Sequence, residues 1–318
     1  MKLFGLTGLL IASFLSFGVK AQTQVLPDHD IVVFQLESAN GALSLAKPEL
    51  VATGVGYDNQ PAFSRDGNKI YFTRIENNNA DIWVWQRAQP GREKSSARKL
   101  VASELSEYSP TLIDGQENSL STVRVEKDGS QRLWRYDFEG GFSPIFEEIK
   151  PVGYHVWSGD RVALFVLGEP HQLRVARLGE PQSRLIDQNI GRCLQKIPAS
   201  SRISYTQIVS RSNEPEKPGS GEGSLQRHQL KSYDFESGSI ISYGQLPEGT
   251  QDYAWLDQNT VISSTGSDLL VAKLGKVMSW QKIKNPTGFK LNLISRLAIS
   301  KDKKQLAVVF IKPTDQSD

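Results

Sequence analysis

Short apolar runs rich in Val, Ile, Tyr, Phe and Trp recur along the chain between clusters of Gly, Asn, Asp and Pro, and no stretch sustains helical periodicity. That pattern predicts an all-β protein. The runs also resemble one another. Asp30-Ile31-Val32-Val33-Phe34-Gln35 is echoed by Asp81-Ile82-Trp83-Val84-Trp85-Gln86, and Leu133-Trp134-Arg135-Tyr136-Asp137-Phe138 by Leu230-Lys231-Ser232-Tyr233-Asp234-Phe235, with weaker copies at Leu173 and Leu269. The six copies start at residues 31, 82, 133, 173, 230 and 269. A period of roughly 40 to 50 residues that holds several strands points to a β-propeller.

A second series runs in a different phase: Pro61-Ala62-Phe63-Ser64, Pro110-Thr111-Leu112-Ile113, His155-Val156-Trp157-Ser158, Gln195-Lys196-Ile197-Pro198, Tyr253-Ala254-Trp255-Leu256 and Leu297-Ala298-Ile299-Ser300. These are read as the innermost strand of each blade. Asp66-Gly67 then turns into the second strand at Ile70-Tyr71-Phe72-Thr73, and Lys301-Asp302-Lys303 turns into Leu306 to Ile311. The first series supplies the third strands, and Leu50-Val51-Ala52 with its copy Leu100-Val101-Ala102 marks the fourth. Ile31 precedes any inner strand, whereas the last inner strand, at Ile299, has no third strand after it. The expected architecture is therefore a six-bladed β-propeller with two-plus-two closure, residues 30 to 53 completing the blade begun by residues 295 to 311. Residues 210 to 226 are too polar and too rich in Gly and Pro to pack, and predict a flexible loop between the second and third strands of blade four.

Residues 1 to 21 read as a secretory signal peptide: Lys2, an apolar or small run from Leu3 to Val19, then Val19-Lys20-Ala21 at the cleavage site. Residues 22 to 318 are then expected to form one exported propeller domain, soluble and not inserted in a membrane once the signal is cleaved. Loss of Lys2 and Lys20 leaves 35 Lys+Arg against 35 Asp+Glu, so there is no basic surplus for nucleic acid and no polybasic run for anionic lipid. Cys193 is the single cysteine, which rules out a disulfide within the chain and reads as a small buried hydrophobe.

The run Pro61-Ala62-Phe63-Ser64-Arg65-Asp66-Gly67-Asn68-Lys69-Ile70-Tyr71-Phe72-Thr73, followed by Ala80-Asp81-Ile82-Trp83, resembles the repeat of TolB-type propellers. That repeat reads roughly P-x-W-S-P-D-G-x-x-I-x-F-x-S, then x-I-Y after a gap. Phe63 stands where Trp is usual and Arg65 where Pro is usual, while Trp157-Ser158 and Trp255 keep part of the pattern in otherwise degenerate blades. The resemblance implies a periplasmic or secreted propeller that binds a partner in its central funnel, as TolB is understood to bind the peptidoglycan-associated lipoprotein. TolB also carries an α/β domain ahead of its propeller. With only about ten residues between the expected cleavage site and the first strand, that domain is expected to be missing, and the chain is not expected to serve as a complete TolB.

Propeller sites lie where the inner strands begin. The residues there are Asp58, Asn59 and Gln60; Glu107, Tyr108 and Ser109; Gly153 and Tyr154; Arg192, Cys193 and Leu194; Gln251 and Asp252; Ser295 and Arg296. Such a mixture of tyrosines, amides and both charges suits a polar peptide or protein surface, and equally suits groups that line a water-filled channel. The expectation is a non-catalytic binding scaffold, with no cofactor, for an envelope protein or peptide. The alternative is a metal-dependent enzyme of lactonase or carbohydrate-active type. Asp58, Asn59, Glu107 and Asp252 could converge on an ion, but Arg192 and Arg296 in the same ring work against a divalent cation. His29, His155, His171 and His228 lack ligand spacing and read as surface or strand residues. No G-x-S-x-G elbow is present. The tryptophans, most of them at repeat-equivalent strand positions, read as packing between blades.

Overall fold

A computed structural model describes residues 28–311 apart from 40, 53–55, 92, 102, 210–225, 276 and 287. The expected signal peptide and the expected flexible loop, except Gln226, lie outside the described residues. The described chain is all-β, and contains no helix long and apolar enough to cross a membrane.

A hairpin of β1 (His29–Ala39) and β2 (Ala42–Ala52) comes first. Five antiparallel meanders follow. They are β3 (Tyr57–Phe63), β4 (Lys69–Glu76), β5 (Asn79–Gln86) and β6 (Ser96–Val101); β7 (Ser106–Leu112), β8 (Ser119–Val125), β9 (Gln131–Asp137) and β10 (Phe142–Pro144); β11 (Val152–Ser158), β12 (Arg161–Val166), β13 (Gln172–Arg177) and β14 (Ser183–Gln188); β15 (Ile190–Lys196), β16 (Arg202–Val209), β17 (Arg227–Asp234) and β18 (Ile240–Gln245); and β19 (Tyr253–Trp255), β20 (Thr260–Ser264), β21 (Leu269–Lys273) and β22 (Ser279–Lys282). The chain closes with β23 (Arg296–Ile299) and β24 (Gln305–Ile311).

Every inner-strand segment read from the sequence falls on, or runs one or two residues past, the first strand of its meander or β23, and every third-strand segment falls on, or runs one residue past, β1, β5, β9, β13, β17 or β21. β24 pairs antiparallel with β1 from His29↔Ile311 to Gln35↔Gln305, so the two ends of the described chain share a sheet. A single parallel pairing, His29 with Tyr57, joins that sheet to β3–β6. The first strands lie side by side in a closed order, β3 beside β7, then β11, β15, β19 and β23, which lies beside β3 again.

The apolar core is divided among the gaps between successive sheets. Leu173, Tyr205 and Tyr233 fill one gap, Leu230, Trp255 and Val261 the next, and Ile31, Phe72 and Val309 another. A tryptophan on a first strand locks two of these gaps by donating its ring N–H to a buried serine on the second strand of the preceding sheet. Trp157 Nε1 reaches Ser121 Oγ at 2.8 Å, and Trp255 Nε1 reaches Ser204 Oγ at 2.7 Å. The tryptophans thus couple sheets by burial and by one specific polar contact. Trp85 is also buried, whereas Trp83, Trp134 and Trp280 are half-buried.

The turn after the first strand is built from the same parts at both ends of the chain. Ser64 Oγ donates to Asp66 Oδ1 at 2.5 Å and accepts from Lys69 N, while Ser300 Oγ donates to Asp302 Oδ1 at 2.6 Å and accepts from Gln305 N. Gly67 supplies the left-handed residue of the first turn (φ +71°), and Lys303 that of the second (φ 64°).

Candidate binding site at the ring of first strands

Counting back four residues from the turn-forming position of each first strand (Ser64, Ile113, Ser158, Ile197, Leu256 and Ser300) gives Gln60, Ser109, Tyr154, Cys193, Asp252 and Arg296. All six, with Arg192, line one cavity of about 240 Å³. Gln60 and Ser109 reach it through β-bulges, between Asn59 and Ala62 and between Tyr108 and Thr111, with left-handed φ of 57° and 56°. A non-glycine residue in that region is strained, and bulges of this kind re-aim side chains beside functional sites. The two bulges also lock together: Ser109 N and Thr73 Oγ1 donate to Gln60 Oε1 at 2.8 and 2.7 Å.

Opposite them lies a charge cluster from three sheets. Asp252 accepts from Arg192 Nη2 on one oxygen at 2.7 Å and from Arg296 Nη1 on the other at 2.8 Å. Arg296 Nη2 donates to the Tyr154 hydroxyl at 3.0 Å, and its guanidinium lies 5.1 Å from that ring's centre, a cation–π contact from β23 to β11. Burial alone would raise the Asp252 carboxyl, but the Arg192 and Arg296 charges and their hydrogen bonds outweigh it and hold the carboxyl below its usual range. Burial works against the charge of Arg296, and Asp252 together with the neighbouring Tyr154, Tyr57 and Cys193 groups outweighs it, so its pKa is raised. Burial pushes the Cys193 thiol up to about 12, with the Asp252 charge adding to the effect. A thiol held protonated is a poor nucleophile.

Of the fifteen residues expected at the ring, Asp58, Asn59, Glu107, Tyr108, Gly153, Gln251 and Ser295 are placed outside this lining. Asp58 is buried and receives Arg74 in a two-pronged contact at 2.6 and 2.8 Å. Glu107, fully buried, accepts from Ser103 Oγ at 2.6 Å and the Tyr136 hydroxyl at 3.0 Å, with Arg124 Nε at 3.6 Å. Asn59 is buried and accepts from Gln60 N at 2.8 Å, and Tyr108 packs on the Ile113–Trp157 cluster. Asp58, Asn59 and Glu107 therefore do not join Asp252 around an ion. Among the described residues, no group of three or more His, Cys, Asp or Glu side chains is placed to hold a metal.

Three of the four histidines fall on strands, one of the two placements that the sequence allowed. His29, His155 and His228 are buried strand residues, and His171 is half-exposed. His155 also lines the cavity, its Nε2 2.7 Å from Ser121 Oγ. Burial pushes its pKa down to about 3, and burial takes His228 to about 4 against the opposing charge of Asp252. In the unfolded chain both titrate near about 6.5. Their contribution to stability is complete above that value and is lost as pH falls toward the folded values, at up to about 1.4 kcal/mol per pH unit for each ring. Asp58 and Glu107, raised by burial, act oppositely, contributing stability in acid that is lost as pH rises through their folded values. The expected result is therefore differential. The thermal midpoint of His155→Gln falls less steeply than that of the wild type between about pH 6 and 4, and parallel curves would show that His155 does not supply the slope.

No family model matches the sequence, and no curated protein sequence matches it. Solved structures do. A protein assigned as TolB from Agrobacterium tumefaciens aligns with a TM-score of 0.66 at 12% identity, over 91% of this chain and 100% of that one. TolB from Acinetobacter baumannii aligns with a TM-score of 0.55 at 11% identity over 91% of this chain, which spans 64% of that protein. An oligogalacturonate lyase in complex with manganese aligns with a TM-score of 0.52 at 12% identity, over 85% of this chain and 83% of that one. At these identities the likeness concerns the fold, and it agrees with the repeat motif carried by Pro61 to Thr73: the chain has the TolB-like β-propeller fold.

Proposed function

We propose that this chain is an exported, non-catalytic propeller of the bacterial cell envelope, six-bladed with its termini sharing the last blade, which takes a segment of a partner protein into the cavity among its first strands. The observation that carries this reading is the cavity's lining. Each first strand, or the residue just ahead of it, contributes a polar or ionisable side chain to a lining that also holds apolar groups such as Phe63, Val156, Leu194 and Ile299, with Asp252 neutralised by two arginines and Cys193 held protonated. The polar groups recognise polar chain atoms and supply neither a free carboxylate base nor an activated nucleophile. A cavity of about 240 Å³ is smaller than the roughly 300 to 1,000 Å³ usual for drug-sized ligands, and suits one or two residues of an inserted segment. The TolB neighbours and the expected signal peptide support an envelope location.

Crosslinking in intact cells, followed by identification of the captured protein, tests the reading. Ser109→Phe, which pushes a ring into the cavity, is expected to lower capture at least about tenfold while the melting curve stays cooperative. Undiminished capture by that folded variant would remove the cavity from consideration.

The lyase neighbour favours a second reading, an enzyme that uses a metal in the same channel. It requires a divalent ion in stoichiometric amount in the purified protein, and elemental analysis decides it.

A further inference from the structure

Two guanidinium groups in the cavity share one carboxylate. Arg192 and Arg296 each hold one oxygen of Asp252, which leaves one positive charge in a place where the three side chains are only 18%, 13% and 8% exposed. An uncompensated charge at such depth is strongly unfavourable. Besides Asp252, the groups acting on Arg296 are the hydroxyls of Tyr154 and Tyr57 and the thiol of Cys193, and burial raises both Tyr57 and Cys193, so neither of these supplies a negative charge at neutral pH. The nearby carboxylates Asp58 and Glu107 are committed to Arg74 and to Tyr136, Ser103 and Arg124.

Donors without partners remain beside this charge and on the facing wall of the cavity. The Tyr57 hydroxyl, on a residue 3% exposed, and Ser109 Oγ, on a cavity-lining residue 8% exposed, are buried without a hydrogen-bond partner among the described residues, as is Arg192 Nε. The Tyr57 hydroxyl feels both arginine charges. A buried donor without a partner is costly, and unpartnered donors in a cavity that holds a net positive charge are complementary to an anion.

From this geometry we propose that the Arg192–Asp252–Arg296 cluster receives a single carboxylate from the inserted peptide, either its free C-terminus or a Glu or Asp side chain. This rests on the cavity being the partner-binding site. One carboxylate brings the cluster to two positive and two negative charges, whereas a phosphate dianion would overshoot. Gln60 and Tyr154 lie around the same cavity to meet the amide groups that precede the carboxylate.

The probe is acetyl-Gly-Gly-Ala, with the free acid compared with the C-terminal amide, and with acetyl-Gly-Glu-Gly amide as the side-chain form. Binding to the signal-free protein is followed by NMR of the arginine Nε–H groups. The acid is expected to saturate those shifts at least about tenfold more tightly than the amide, and whether the side-chain form matches the acid decides the source of the carboxylate. Arg192→Gln is expected to lose at least about tenfold in affinity for the acid and Arg192→Lys to keep most of it. Acid and amide binding alike to the wild type, or neither binding, overturns the proposal without any variant having to fold. Saturable binding of galacturonate but of no peptide overturns it in favour of a sugar acid. If Ser109→Phe loses the captured partner while acid and amide bind alike, the carboxylate assignment fails and the partner-binding reading stands; capture retained by Ser109→Phe sinks that reading itself.

Discussion

Asp252→Asn is expected to cost about 3 to 5 kcal/mol of folding stability, because it removes the carboxylate from between two buried guanidinium groups and leaves both charges without compensation. Asn matches Asp in volume, so the loss is electrostatic. For a domain of this size each kcal/mol moves the thermal midpoint by roughly 2 to 4 °C, which places the variant about 10 °C below the wild type. The double variant Asp252→Asn/Arg192→Gln restores the original net charge of the cluster and is expected to recover more than half of the loss. Denaturant unfolding of both proteins measures the coupling. A midpoint within about 2 °C of wild type for the single variant would mean that the arginines find solvent when released, and that the cluster is not held at the depth the geometry gives it.

Acid reveals the same cluster from another direction. Asp252 is depressed in the folded state, so its contribution is present above the unfolded value of about 3.9 and disappears only as pH falls through its lower folded value. The histidine contribution is lost first, starting near about pH 6.5. Unfolding between these two ranges is therefore governed by His155 and His228 set against Asp58 and Glu107, and unfolding below them includes Asp252.

The strand plan was legible because a propeller repeats one local pattern. Pro61-Ala62-Phe63-Ser64 and its degenerate copies fall on the first strands even where only an apolar alternation survives. The sharing of a sheet by the two ends followed from the phase of two series alone, and β1 does pair with β24. The site was half legible for a local reason. The residues just ahead of the inner strands include Gln60, Ser109, Tyr154, Arg192, Asp252 and Arg296, which line one cavity, but the bulges at Gln60 and Ser109 turn the chain so that the residues before them face the sheet. Neither bulge carries a glycine to announce it. A signal for the missed pairings was present, however. Arg74 and Arg124 stand at equivalent places near the ends of β4 and β8, in direct cross-strand register with Asp58 and Glu107. The joining of residues 192, 252 and 296 had no such signal, since it depends on closing the ring.

Trp255→Ala is expected to cost about 3 to 5 kcal/mol, the usual penalty for emptying a buried aromatic site, because the ring fills the gap between the β15–β18 and β19–β22 sheets. Ser204→Ala tests the polar part of the same contact. Ser204 Oγ accepts from both Trp255 Nε1 at 2.7 Å and the Tyr253 hydroxyl at 2.9 Å, and the serine is fully buried. Removing it strands two buried donors, although Tyr253 keeps a longer contact to Cys193 O at 3.4 Å. A loss of about 2 kcal/mol is expected, within the range for unsatisfied buried groups. The two substitutions share one interaction, so the double variant should fall short of the sum by about 1 kcal/mol or more. Strict additivity in denaturant unfolding would show that the tryptophan acts through packing alone. The second copy of the contact, Trp157 on Ser121, then supplies an independent check, with one difference: His155 also meets that serine, so Ser121→Ala should in addition change the pH dependence of stability, which Ser204→Ala should leave unaltered.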